Sequence, residues 1–343
     1  MDERKLVSIQ KVEELTPIEG ADKIECAKVL GWKVVVGKDE FKVGDLCAYH
    51  EIDSLLPLIP QYEFLAKGNK PKTMIVNGKE IQGYRLKTIR LKKQISQGLA
   101  LPLTAFNICG DIGEDITNLI GVHKYEMPIP VHMSGEIKGS FPGFLPRTDE
   151  ERIQNIPEAL NEHKDSVFYI TEKLDGTSCT FYKYEGHFGV CSHNLKLKEN
   201  ENNLYWRIAK QYNLANILPE GFAIQGEIVG EGIQKNRLKL KGQDIYIFYI
   251  FDIKRHQYLH FLQTKDYIST LGLKQVPCVN EKFVLHNNME ELLSLADGKS
   301  QLNLAELREG IVFVLRAAKS PIPEGIKISF KIINNEYLLK HGE

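Results

Sequence analysis

One strand-like segment near the middle of the chain ends in a lysine and constrains what the surrounding chain can become. Residues 167–173 are apolar, aromatic and β-branched, which predicts a buried strand, and Leu-Asp-Gly176 follows as a turn signal. Lysine acts as a nucleophile only when its amine is neutral, which requires neighbouring cations or exclusion of water. Lys173 is therefore a candidate nucleophile, although Lys-x-Asp-Gly taken alone is a common combination.

Composition restricts the broad class of protein. The 343 residues suit two domains, and a hydrophobic content of 43% is sufficient for a core in each. A formal net charge of −1 argues against a uniformly basic nucleic-acid binder but allows local basic patches. The six cysteines form no CxxC pair, so we expect reduced thiols and no zinc or disulfide framework. No apolar run approaches the ~20 residues of a membrane span, and no signal sequence is evident, so we expect a cytoplasmic protein without membrane contact.

The first hundred residues show short strands separated by turns. Alternating or β-branched runs at residues 6–12, 24–30, 32–36 and 46–50 predict four strands, and Val43-Gly-Asp45 predicts a tight turn before the fourth. Residues 84–92 read as a further strand with alternating cations. This spacing favours a five-stranded OB-like β-barrel over a sandwich.

Basic residues concentrate in one part of this barrel. Nine lysines and arginines lie between residues 67 and 93, with Tyr62, Phe64 and Tyr84 nearby. OB barrels bind nucleic acid through cations on phosphates and aromatic rings on bases, whereas an edge strand can carry cations simply to discourage pairing. The expected RNA contacts in this domain are Arg85, Lys87, Arg90 and Lys92.

A glycine- and proline-rich stretch separates the barrel from the rest of the chain. The glycines and prolines between residues 110 and 147 exclude a long helix, so we expect domains at 1–125 and 126–343. Thr148-Asp-Glu-Glu151 matches a capping box and predicts a helix start, with Arg152 on its first turn. Helical spacing predicts two further helices, at residues 203–212 and 289–296.

Four further motifs follow Lys173 in order. They are Gln225-Gly-Glu227-Ile-Val, Ile247-Phe-Tyr-Ile-Phe251-Asp252-Ile, Glu309-Gly310-Ile-Val and Ser329-Phe-Lys331. With Lys173-Leu-Asp-Gly176, this series resembles the covalent nucleotidyltransferase superfamily of ATP-dependent polynucleotide ligases and mRNA capping enzymes.

Other features resemble an RNA ligase group with an N-terminal OB-like domain. They are residues 147–155 before the first motif, and the N-terminal residues 18–25, 44–45 and 96–98. DNA ligases and capping enzymes carry their OB domain after the fifth motif, whereas the OB-like segment here precedes the first. The resemblance implies an α+β protein in which an OB-like barrel is followed by an ATP-grasp-like nucleotidyltransferase domain of antiparallel sheets flanked by helices.

The resemblance implies an ATP-dependent RNA ligase that seals 3′-hydroxyl and 5′-phosphate ends at nicks in duplexes. The expected partners are RNA or an RNA-containing nicked duplex, and the expected state is a monomer. A DNA ligase, a capping guanylyltransferase and a non-catalytic RNA-binding protein stay as alternatives.

The same resemblance implies residue roles. Lys173 carries AMP; Mg²⁺ or Mn²⁺ is held by Asp175, Glu227 and Glu309, directly or through water. The implied nucleotide contacts are Arg152, Glu172, Glu227, Phe251 (stacked on adenine), Lys327 and Lys331.

Two positions depart from the usual pattern. Ser329 stands where a lysine is common, and Lys327, two residues earlier, could substitute although a two-residue strand step spans roughly 7 Å. In Cys191-Ser192-His193, histidine stands where relatives usually carry arginine. His193 keeps a hydrogen-bond donor but loses the permanent charge, and together with Ser192 it is an expected RNA contact.

Overall fold

The computed structural model describes residues 4–76, 79–126, 137–317 and 327–342. The chain divides into two compact units. The first comprises residues 1–128, 154–157 and 338–343, and the second comprises 129–153 and 158–337. The sequence predicts one boundary, between 1–125 and 126–343; residues 127–136 lie outside the described part. Assignment of 154–157 and the C-terminal segment to the first unit has no counterpart in the sequence pattern.

The first unit is built on antiparallel strands. A five-stranded sheet has the order β10-β4-β1-β2-β3, a four-stranded sheet the order β11-β5-β7-β6, and β8 and β9 form a hairpin. The strands are β1 (Val7–Pro17), β2 (Ile24–Val29), β3 (Trp32–Gly37), β4 (Leu46–His50), β5 (Ser54–Pro57), β6 (Lys72–Val76), β7 (Lys79–Arg85), β8 (Ile89–Leu91), β9 (Gln94–Ser96), β10 (Leu99–Pro102) and β11 (His123–Lys124), with a short helix α1 (Thr117–Ile120). The four strands predicted before residue 51 are confirmed, as is the turn at Gly44, where φ is +98°.

The prediction of one continuous strand at residues 84–92 is wrong. β7 ends at Arg85 and β8 begins at Ile89 in a different sheet. Between them the Leu86 N–H donates to the carbonyl of Ser54 at 2.8 Å, and Leu86 and Thr88 are buried. A period-two pattern reports that side chains alternate, but it cannot show that the chain passes from one sheet to another.

The second unit contains two larger sheets. Seven strands run in the order β12-β16-β15-β14-β17-β18-β19 with β20 parallel to β18, and a four-stranded sheet has the order β21-β13-β22-β23. The strands are β12 (Ile137–Ser140), β13 (Val167–Lys173), β14 (Thr177–Tyr184), β15 (His187–Cys191), β16 (Leu195–Leu197), β17 (Phe222–Gly230), β18 (Gln243–Asp252), β19 (Gln257–Tyr258), β20 (Lys274–Gln275), β21 (Cys278–Val284), β22 (Gly310–Ala317) and β23 (Ser329–Ile333).

Short helices accompany these sheets. They are α2 (Ala159–Glu162), α3 (Leu204–Gln211), α4 (Leu214–Ile217), α5 (Phe261–Thr270), α6 (Met289–Leu295) and α7 (Asn335–His341). The predicted helices at 203–212 and 289–296 are confirmed as α3 and α6. The Asn203 side chain caps α3 by accepting from the amides of Tyr205 and Trp206. Leu204 and Ile208, on one face of α3, pack into the core of the larger sheet.

The helix predicted from Thr148 is wrong. No helix occupies residues 148–152. The Thr148 hydroxyl instead lies 3.0 Å from the hydroxyl of Ser178, and the carbonyl of Glu151 accepts from the Lys331 amide at 2.8 Å. Residues distant in sequence thus engage the Thr148 hydroxyl that would cap a helix and the Glu151 carbonyl that would accept within it, and the segment pairs with β23 at Arg152.

Among the described residues, no helix is long and apolar enough to cross a membrane.

Candidate active site

Pairing of β13 with β22 brings the candidate nucleophile to a glutamate that is remote in sequence. Lys173, the last residue of β13, is opposite Gly310, the first residue of β22. Glu309 immediately precedes that strand, and the Lys173 Nζ donates to its Oε1 at 2.7 Å. The lysine amine and this carboxylate therefore form one site.

The turn after Lys173 carries the chain from the small sheet into the large one. At Gly176 a Cβ would lie 2.2 Å from the backbone oxygen of Ile228, so only glycine allows this approach to β17. On β17, Glu227 pairs with Ser178 of β14. The close approach therefore places Glu227 of the large sheet near Lys173 of the small one.

Three carboxylates determine the electrostatics around the lysine. Burial lowers the pKa of Lys173, but the negative charges of Glu309, Glu227 and Asp175 outweigh burial, and the net pKa is raised. Burial raises the pKa of Glu227 to about 8; Lys173 opposes this effect, while Glu309 and Asp175 add to it. In this arrangement the amine is an ammonium group, so its neutral form requires additional positive charge nearby.

A cavity of about 230 Å³ opens over these groups. It brings together five predicted residues: Glu172, Lys173, His193, Glu227 and Lys331. The predicted Asp175, Glu309, Arg152, Phe251 and Lys327 do not line it. Further lining residues that the sequence analysis missed are Thr148, Asp149, Glu150, Phe248 and Tyr249.

Phe248 and Tyr249 are the aromatic rings that line the cavity, and the prediction for Phe251 is corrected. The Phe251 side chain is 2% exposed and packs in a core cluster with Tyr182 and Ala223, so its ring has no free face for a base. Between β17 and β18 the register shifts, because Gln225 pairs with Tyr249 but Gly226 pairs with Ile247. Phe248 is the extra residue of this bulge, and its half-buried ring faces the cavity.

Glu172 and Lys331 line the cavity from neighbouring parts of the small sheet. Glu172 is 2% exposed and its Oε2 accepts from the Gln301 amide at 2.8 Å. Burial raises the pKa of Glu172, and hydrogen bonds from Ser300 and Gln301 oppose that effect. Lys331 is opposite Val312 on β22 and forms an isolated parallel bridge with Arg152. Arg152, 6% exposed, is thus held at the backbone beside Lys331.

His193 lies at the cavity and pairs with an acid. Its Nε2 is 3.2 Å from Oδ2 of Asp149, and the neighbouring Ser192 amide donates to the carbonyl of Leu195 at 2.9 Å. Of these two predicted RNA contacts, only His193 lines the cavity.

Comparisons with known proteins agree with this geometry. Residues 6–103 match an OB-fold domain model, and residues 166–333 match an RNA ligase model. A structure of Naegleria gruberi RNA ligase with PPi has 40% sequence identity and a TM-score of 0.90, with 99% of each chain covered. Two variants of that enzyme are also 40% identical to this chain, each with a TM-score of 0.89. One is a lysine-to-alanine variant with ATP and Mn, where 98% of this chain and 99% of that chain are covered. The other is a lysine-to-methionine variant with AMP and Mn, where 99% of each chain is covered.

This chain belongs to the RNA ligase family. The predicted fold class, an N-terminal OB-fold domain followed by a ligase domain of sheets and helices, is confirmed. A comparison with curated proteins returned no significant match.

The donor atoms of this RNA ligase fit a divalent cation. Among the described residues, no group of three or more His, Cys, Asp or Glu side chains converges with metal-ligand geometry. The acids near Lys173 are hard oxygen donors, and burial, together with the negative charges of Glu309 and Asp175, raises the pKa of Glu227. Mg²⁺ usually keeps several waters and is held by one or two carboxylates together with phosphates, so a three-residue cage is not required.

A buried arginine near these acids was missed by the sequence analysis. Arg237 has a side chain 5% exposed; its Nη1 lies 3.6 Å from Oδ2 of Asp175 and donates to the Tyr337 hydroxyl at 3.0 Å. Isolated arginines in loops carry no spacing signal, so only the structure could identify it. Arg237 therefore places a buried positive charge beside the carboxylate of Asp175.

The predicted RNA-contacting cations of the first unit differ in their exposure and in their contacts. Arg85 is engaged by Asp53 at 2.9 Å, and its guanidinium carbon lies 4.6 Å from the ring centre of Tyr125. Lys87 is half-buried, whereas Arg90 and Lys92 are exposed on the β8–β9 hairpin. Arg85 is therefore held by contacts within the first unit, whereas the exposed cations lie on the β8–β9 hairpin.

Proposed function

We propose that this chain is an ATP-dependent RNA ligase that joins 3′-hydroxyl and 5′-phosphate ends, at nicks in duplexes, through a lysyl-AMP on Lys173. The observation that carries the proposal is the 2.7 Å hydrogen bond from Lys173 to Glu309 at a cavity with an acidic, a basic and an aromatic wall. Structures of the similar Naegleria gruberi enzyme with ATP, AMP and Mn support use of ATP and a divalent cation.

In the first step the neutral Lys173 Nζ attacks the α-phosphorus of ATP. A nitrogen–phosphorus bond forms, the bond from the α-phosphorus to the bridging oxygen breaks, and pyrophosphate leaves with the bonding electrons. Glu309 Oε1, already hydrogen-bonded to Nζ, orients the amine and is the acceptor for its proton. Lys331 lines the cavity as the cation for the non-bridging phosphate oxygens, where negative charge develops.

The adenosine is held by the walls of the cavity. The half-buried Phe248 ring offers a face for the adenine, and stacking of a base on an aromatic ring contributes ~1–3 kcal/mol. The Glu172 and Glu227 carboxylates, both at the cavity, are acceptors for base amine or ribose hydroxyl groups. Glu227, Asp175 and Glu309 would hold Mg²⁺ or Mn²⁺, which supplies positive charge that lowers the Lys173 pKa and stabilises phosphate oxygens.

In the second step the RNA 5′-phosphate attacks the AMP phosphorus and releases Lys173, giving a 5′–5′ pyrophosphate linkage. In the third step the 3′-hydroxyl attacks the RNA 5′-phosphorus, loses its proton and expels AMP. His193 at the cavity edge is a donor for an RNA phosphate, with Asp149 orienting its ring.

Self-adenylylation tests the proposal. Protein incubated with α-labelled ATP and Mn²⁺ should acquire a covalent label that Lys173→Met abolishes, whereas labelled GTP should give none. Nicked duplexes with RNA or DNA on either side of the break then define the strand preference. A covalent adduct that persists in Lys173→Met would overturn the assignment.

The OB-fold unit is proposed to bind RNA through the β8–β9 hairpin, where Arg90, Lys92 and Lys93 are exposed cations. Arg90→Ala with Lys92→Ala should weaken nick binding and reduce the slope of log K against log salt by about 2. Lys38→Ala with Lys42→Ala, an equal loss of charge between β3 and β4, is the matched control. Point variants are preferable to deleting residues 1–125, because residues 154–157 and 338–343 belong to the same unit. A monomeric mass by light scattering is also expected.

A further inference from the structure

Glu150, at the edge of the cavity, accepts from three donors, one on β18 and two at or just before the start of β23. Its Oε1 accepts from the Tyr249 hydroxyl at 2.7 Å and from Lys327 Nζ at 2.5 Å, and its Oε2 accepts from the Ser329 hydroxyl. The side chains of Glu150 and Lys327 are only 8% and 15% exposed. Both oxygens of this nearly buried carboxylate accept hydrogen bonds, which fix its position in the wall of the cavity.

Two aromatic rings also lie against the Lys327 ammonium. Its Nζ lies 4.0 Å from the ring centre of Tyr249 and 5.0 Å from that of Tyr258. Both distances fall within the range of cation–π attraction. The positive charge of Lys327 is therefore already compensated by one carboxylate and two ring faces, and Lys327 does not line the cavity.

The same carboxylate ties the segment beside the cavity to β23. Ser329 and Lys331 are two residues apart on β23 and so share one face of the strand. Next to Glu150, the Glu151 carbonyl accepts from the Lys331 amide at 2.8 Å. The Glu150 side chain and the Glu151 backbone thus hold β23 in the register that directs Lys331 toward the cavity.

We propose that Glu150 is a positioning residue for the nucleotide-binding wall, and that Lys327 is the counter-ion in this wall and makes no contact with the nucleotide phosphates. The inference rests on the proposed function, since it assigns how that site holds ATP. It also accounts for Ser329: a hydroxyl at this position completes the Glu150 cluster, whereas a lysine there would compete with Lys327 for the same carboxylate.

A double-mutant cycle tests the pairing. ATP binding is measured by calorimetry in a Lys173→Met background, where no adduct forms, for Glu150→Gln, Lys327→Met and the two combined. Each single change leaves an uncompensated, partly buried charge or polar group and should raise Kd about tenfold. The double variant removes both charges and should bind no more weakly than either single variant.

Additive losses, about a hundredfold in the double variant, would overturn the proposal, because they would mean that Lys327 binds ATP independently of Glu150. The matched control is the exposed pair Lys265–Glu281, at 2.8 Å in the same unit; Lys265→Met and Glu281→Gln should leave Kd unchanged.

A milder variant decides the question if the double variant does not fold. Ser329→Ala removes one donor to Glu150 and leaves no unpaired charge, and it should raise the ATP Kd about threefold. An unchanged Kd in Ser329→Ala would overturn the role of the cluster. With Lys173 intact, each variant should still form the covalent adduct at saturating ATP, so weakened binding is separable from failure of the proposed chemistry, which would appear as no adduct in the wild-type protein.

Discussion

Phe248 and Phe251 lie three residues apart on β18, yet their substitution should have opposite consequences. Phe248→Ala removes one of the two aromatic rings that line the cavity. Loss of ~1–3 kcal/mol of base stacking corresponds to an increase of roughly 5- to 150-fold in the KM for ATP. Because the Phe248 ring is only half-buried, the free energy of unfolding should fall by less than in a core substitution.

Phe251→Ala should instead reduce stability. Its ring is 2% exposed and its centre lies 5.1 Å from that of Tyr258 and 5.3 Å from that of His256, so truncation leaves a cavity in the core. Substitutions of this kind cost about 3–5 kcal/mol. The KM for ATP of the protein that remains folded should change little.

Two measurements separate these effects: the ATP dependence of self-adenylylation, and urea unfolding followed by circular dichroism. Phe248→Tyr retains a stacking face and is the conservative control for the first, and Phe251→Leu retains apolar volume and is the control for the second. A normal KM in Phe248→Ala, or a raised KM with unchanged stability in Phe251→Ala, would refute the assignment of the cavity wall.

Four other outcomes are expected. Gly176→Ala should abolish self-adenylylation while the protein stays folded, because its Cβ would lie 2.2 Å from the Ile228 carbonyl and push the turn away from β17; full labelling in a time course would contradict this. Asn155→Ala should lower the free energy of unfolding of the first unit by about 1–3 kcal/mol in urea titrations, because it removes the 2.6 Å hydrogen bond from the buried Trp32 indole. His193→Arg supplies a permanent charge and should lower the KM for nicked RNA; an unchanged KM would count against RNA contact there. Chelation of divalent cations should stop self-adenylylation and addition of Mn²⁺ restore it, and labelling that persists in excess chelator would contradict a metal requirement.

The environment of Lys173 also bears on how the first step is controlled. Its acidic neighbours hold the amine in the charged, non-nucleophilic form, since the net pKa is raised. A cation bound beside these carboxylates would lower the Lys173 pKa again.

The sequence by itself determined the residue types that carry the chemistry, their order, and most of the local structure. Lys173, Glu227, Glu309 and Lys331 follow one another in motifs whose spacing resembles the RNA ligases, and family membership is confirmed. Strands with clear alternation and the helix capped by Asn203 were predictable because their signals lie within a few residues.

Tertiary structure decided which of these residues reach the cavity. A bulge on β18 turns Phe248 rather than Phe251 toward it, and no local pattern announces a bulge. The segment from Thr148 is extended because its partners, Ser178 and Lys331, come from distant strands and outcompete a capping box. Lys327 is captured by Glu150, 177 residues earlier in the chain. In each case the deciding hydrogen bond or ion pair joins residues far apart in sequence, and only the folded arrangement of the sheets brings them within reach.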